Sequence, residues 1–122
     1  MSDNTDMNAQ STSPVSLELL DEYTGGDREF LQELLDQFWL DLDERLPQLR
    51  QSSSPFNGPV FKGLAHALAG SATCVGAETL REKALALETC GREGHADAAV
   101  SLLADFESEV ERVRAFFADY LA

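Results

Sequence analysis

The sequence predicts an all-α fold, an antiparallel up-down-up-down four-helix bundle with a short additional N-terminal helix. Apolar residues recur at spacings of three and four over long windows, and no stretch shows the strict alternation of a half-buried strand. Short connections rich in Gly, Pro and Ser separate these windows, which favours antiparallel neighbours.

The first helix is expected from about Pro14 to Tyr23, with Val15, Leu17, Leu19 and Leu20 apolar and "TGGD" stopping it. Asp27 then suits an N-cap, because its carboxylate can accept from the free amides of a first helical turn. The second helix carries Leu31, Leu34, Leu35, Phe38, Leu42, Leu46 and Leu49 on one stripe, with Leu40 on the opposite side. Pro47 removes an amide donor and crowds the carbonyl four residues back, which should kink the last turns although tertiary packing can accommodate it, and "QSSSPFNGP" reads as the linker that follows.

A third helix is expected from near Pro59 to Val75 and Gly76, with Phe61, Leu64, Leu68, Ala72 and Val75 inward. The fourth, from about Ala77 to Arg92, offers Leu80, Ala84 and Leu87 to the core, and "GREGH" ends it. The fifth has the cleanest seam: Ala99, Leu103, Phe106, Val110, Val113, Phe117 and Tyr120. Residues 1–13 read as a disordered polar tail ahead of one helical domain, 14–122.

Composition narrows the function. Hydrophobic residues make up 43% and charged residues 25%, the balance of an ordinary globular chain. A formal charge of −13, from 22 acidic and 9 basic residues, argues against nucleic-acid or anionic-membrane binding, where basic patches supply affinity. No basic leader and no run of about 18 apolar residues suggests export or a membrane span. Two cysteines, Cys74 and Cys90, on helices running apart from a turn, fit a reduced cytoplasm rather than a disulfide scaffold. The chain is expected to be monomeric and cytoplasmic.

Chemistry centres on His66, since His95 stands in a turn sequence. At 100° per residue His66 lies far round from the apolar stripe, and its helical neighbours are Lys62, Gly63, Ala69 and Gly70, with Thr73 a turn further on. Each mid-helix glycine costs about 0.5–1 kcal/mol relative to alanine, so two beside one histidine need a reason. Either they clear the surface for a second protein to reach the ring, or they let a neighbouring helix pack closely. An ordinary surface histidine is the plainest alternative for His66 itself.

Other chemistries fit less well. Zinc wants three or four convergent ligands, and neither histidine has a second ligand one turn away. Ser71, five residues from His66, falls on a different face, and no G-x-x-x-x-G-K phosphate loop is present.

The stretch "AHALAGSATCVGAETLREKALALE", 65–88, resembles the signature of histidine-containing phosphotransfer (HPt) domains, A-H-x-L-K-G-S, a short spacer, G-A, then L and a closing L-E. The matching residues are Ala65, His66, Leu68, Gly70, Ser71, Gly76, Ala77, Leu80, Leu87 and Glu88. "GGDREFLQELLDQFWLDL", 25–42, is similar to the family's second helix, G-D-x-E-F-L-x-E-L-L-x-x-F. The resemblance implies a phosphorelay intermediate in which His66 accepts a phosphoryl group from a receiver-domain aspartyl phosphate and passes it to another receiver. A neutral imidazole has one free nitrogen to act as nucleophile, and that nitrogen must be exposed because the donor is a protein. Partners would be receiver domains and a hybrid sensor kinase. No cofactor of its own is implied, the Mg2+ lying in the receiver.

One position departs from the pattern: Ala69 stands where the family has lysine. An exposed charge there would contribute about 1 kcal/mol, or about fivefold in rate or phosphohistidine lifetime. Lys62, on the same face, could supply a cation from the other side. Leu40 is either covered by the first helix or free for a receiver to dock on. Gly70 and Thr73 extend the approach surface, and Glu88 closes the signature or is a plain surface charge. A starting methionine and 122 residues suggest a free-standing protein. The alternative is a non-catalytic HPt-fold interaction protein, which docks without carrying phosphate.

Overall fold

The computed structural model describes residues 13–122, so the expected tail lies outside the described residues apart from Ser13. Five helices follow: α1 (Leu17–Thr24), α2 (Arg28–Ser53), α3 (Gly58–Cys74), α4 (Glu78–Glu93) and α5 (Ala96–Tyr120). All described residues outside them are turns, bends or coil. α2 to α5 form the bundle, and α1 lies against it.

The helix starts follow capping chemistry. Ser16 Oγ accepts from the Leu19 amide, Asp27 from Phe30 at 3.1 Å and Asn57 from Val60 at 3.3 Å, each satisfying an orphan first-turn donor. α1 therefore begins at Leu17 rather than Pro14, and Val15 enters the core from the bend before it.

α2 runs without a break through Pro47 to Ser53, so the expected linker shortens to residues 54–57. Pro47 removes its own donor and crowds the carbonyl four residues back, yet the helix continues, and in its final turn Ser52 donates to Leu49 O and Ser53 to Arg50 O.

The core is the union of the helix stripes. Leu31, Leu35, Phe38, Leu42 and Leu49 of α2 meet Phe61, Leu68 and Ala72 of α3, Leu80, Ala84 and Leu87 of α4, and Phe106, Val110, Val113 and Phe117 of α5. Each large side chain so buried contributes about 1.5–3 kcal/mol. The α3 stripe is wider than its bulky residues suggest: Ala65 and Ala69 are buried as well, while Leu64 is only half-buried. Small side chains on that flank let α4 approach.

The α3–α4 approach is close enough to dictate a glycine. A Cβ on Gly91 would stand 2.7 Å from Lys62 N, 3.0 Å from Lys62 Cα and 2.9 Å from Gly58 O. Only a residue without a side chain lets the two backbones come together there. At the other end of the hairpin Gly76, at φ 70°, turns the chain, and its carbonyl accepts from the Ser16 amide at 2.8 Å, tying α1 to the turn.

Candidate phosphoacceptor site

The closeness of α3 and α4 fixes their register. Gly91 against Lys62 sets one end, and this alignment carries Glu88 to the level of His66. Both carboxylate oxygens of Glu88 lie 3.2 Å from His66 Nδ1. The His66 side chain is 75% exposed, whereas that of Glu88 is 15% exposed. A half-sunken carboxylate thus anchors one nitrogen of an imidazole that otherwise faces solvent. With Nδ1–H donating to Glu88, the lone pair resides on Nε2, the nitrogen turned away from α4.

Gly63 and Gly70 flank the ring and are both exposed, and a Cβ added to either would meet nothing within 4 Å. No helix among the described residues packs on them, so the close-packing reading belongs to Gly58 and Gly91 instead. The surface around Nε2 is bare. Thr73 continues this face, its hydroxyl turned back to donate to Ala69 O at 3.0 Å.

Ala69 differs from the expectation that it lies on the approach surface. It is 7% exposed, because position 69 falls on the flank of α3 that α4 covers. Lys62 is exposed and, among the described residues, makes no ion pair. Leu40 is 57% exposed, so α1 leaves it uncovered.

Glu88 is more than a surface charge, since among the described residues it is the one side chain hydrogen-bonded to His66. Its partnership was hidden in the sequence: only the helix register, set by a buried glycine, brings the two together. Ser71 belongs to a separate network, donating to Asp41 Oδ2 across the α2–α3 interface while Asp41 Oδ1 accepts from Arg45 Nε at 2.8 Å. His95 stands at the N-terminal boundary of α5 without a side-chain capping bond, with Glu93 3.8 Å from its ring.

The Hpt domain family model matches residues 33–116, which takes in most of α2, all of α3 and α4, and α5 as far as Phe116. The chain belongs to the Hpt domain family. Its fold matches the crystal structure of histidine-containing phosphotransfer protein B (HptB) from Pseudomonas aeruginosa PAO1 with a TM-score of 0.82 and 26% identity, covering 89% of this chain and 95% of that one. The phosphorelay intermediate protein rdeA of Dictyostelium discoideum is 29% identical over 112 residues, 89% of this chain. The chain spans 43% of the length of that curated relative. Within this Hpt domain His66 stands in the "AHALAGS" signature, on the exposed face of α3. No helix among the described residues is long and apolar enough to cross a membrane.

Proposed function

We propose that this Hpt domain is a phosphorelay intermediate in which His66 takes a phosphoryl group from a receiver-domain aspartyl phosphate and delivers it to the aspartate of another receiver. The observation that carries the reading is the pairing of His66 Nδ1 with Glu88 on a face bared by Gly63 and Gly70. In the forward step the Nε2 lone pair forms a bond to phosphorus as the bond from phosphorus to the aspartyl oxygen breaks, and the aspartate leaves as a carboxylate. The proton on Nδ1 stays in place, and the positive charge that develops on the ring faces Glu88. Delivery to the second receiver is the reverse displacement.

Charge on the transferring group would be met by the Mg2+ that the receiver's acidic residues would hold, so this chain needs to offer only the nucleophile and its orientation. Leu40, Gly70 and Thr73 supply docking surface in this reading, and Lys62 is the exposed cation on the α3 face. The free thiols Cys74 and Cys90 accord with a reducing cytoplasm, where the chain would act as a monomer.

Incubation with a phosphorylated receiver tests the proposal. The expected product is acid-labile, base-stable label on the wild type and none on His66→Gln. An unlabelled wild type that still binds the receiver would instead indicate docking without phosphate transfer, and equal label on His66→Gln would assign the phosphate elsewhere.

A further inference from the structure

Glu88 does not face His66 alone. Arg92, one turn further along α4, brings Nη1 to 3.9 Å from Glu88 Oε2, and its Nη2 donates to Thr89 Oγ1 at 3.2 Å. The guanidinium is therefore held on the Glu88 side of the helix. His66, Glu88 and Arg92 form one row crossing from α3 to α4.

The row has a mechanical consequence. Glu88 presents both oxygens to Nδ1 at the same distance, so nothing in the His66 contact itself selects which oxygen accepts or fixes the carboxylate plane. The Arg92 guanidinium, 3.9 Å from Oε2, distinguishes the two oxygens and biases the carboxylate plane. The close backbone approach at Gly91, the residue before Arg92, keeps this part of α4 fixed against α3.

We propose that Arg92 is a positioning residue for the phosphoacceptor, acting through Glu88 to hold His66 as the Nδ1–H tautomer with Nε2 free. Its effect on phosphorylation rate rests on His66 being the phosphoacceptor, whereas its effect on the ring does not. Because Arg92 is half-exposed, the expected size is modest, about two- to fourfold in rate.

Ring nitrogen-15 spectra and phosphorylation by phosphoramidate, a donor that needs no docking, test the proposal on the full chain. Arg92→Ala should lower the Nδ1–H tautomer fraction and slow phosphorylation, Arg92→Lys should restore most of both, and Arg92→Ala added to Glu88→Gln should change nothing further. A ring spectrum unaltered in Arg92→Ala, or an undiminished effect on top of Glu88→Gln, would overturn the role. If phosphoramidate labels none of the proteins, the phosphoacceptor reading fails, and the ring spectra still decide for or against Arg92.

Discussion

Glu88 holds His66 Nδ1 between its two carboxylate oxygens at 3.2 Å, across 22 positions of sequence and from a neighbouring helix. The contact assigns different work to the two ring nitrogens, one to orientation and one to chemistry. A hydrogen bond to a charged group is worth about 1.5–3 kcal/mol when shielded, and exposure of the imidazole brings it towards about 1 kcal/mol. Glu88→Ala should therefore slow phosphorylation by phosphoramidate about fivefold, with circular dichroism unchanged.

Gly63→Ala and Gly70→Ala should separate stability from function. Both sites are open, so a methyl group meets nothing, and alanine in place of a mid-helix glycine should stabilise by about 0.5–1 kcal/mol. The same methyl lies on the surface a receiver must approach. Thermal unfolding should move up while transfer from a phosphorylated receiver slows, and phosphoramidate should label the variants at the wild-type rate.

Gly91→Ala should do the opposite. Its Cβ would press on the backbone of Lys62 and Gly58, which cannot rotate away. A loss of about 1–3 kcal/mol in urea unfolding is expected, together with a changed nitrogen-15 signature of the His66 ring as α4 moves and Glu88 with it.

Ser71→Ala tests whether the signature serine is structural. Its hydroxyl links α3 to Asp41 of α2, away from the imidazole. The variant should lose about 1 kcal/mol of stability and keep its phosphorylation rate. A rate loss without a stability loss would give Ser71 a direct part in transfer.

The two cysteines should differ. Burial pushes the Cys90 thiol above its ordinary range, with the charge of Asp97 adding to the effect, and its Sγ donates to His95 O at 3.1 Å, while Cys74 is exposed. Because the folded value is the higher one, the stabilisation is fully present below the unfolded thiol value of about 8.5 and is lost as pH rises through the folded value. Iodoacetamide should label Cys74 in the native protein and Cys90 only after unfolding. Cys90→Ala should lessen the fall in melting temperature at alkaline pH.

The helices were legible because their signals are local. Asp27 announces its helix by capping chemistry, and the α5 seam follows from spacing alone. The expected linker is too long because the helix continues past Pro47 to Ser53, with Leu42 and Leu49 buried on either side of the proline. His66 stood out by its isolation from the apolar stripe. The bond to Glu88 and the burial of Ala69 were not legible, since both depend on how closely α4 approaches α3. That distance is set by Gly91, which in the sequence looks like one more residue of a terminating "GREGH".

The parts that orient the imidazole all lie on one helical hairpin, residues 58–93, whose ends are clamped by Gly91 against Lys62 and by the Gly76 turn. Contacts of such short sequence separation form early and at low entropic cost when a chain folds. Substitutions in α5 can thus erode the stability of the bundle while leaving the reactive geometry intact. Sequence drift on the far side of the molecule is free to proceed so long as the hairpin keeps its register.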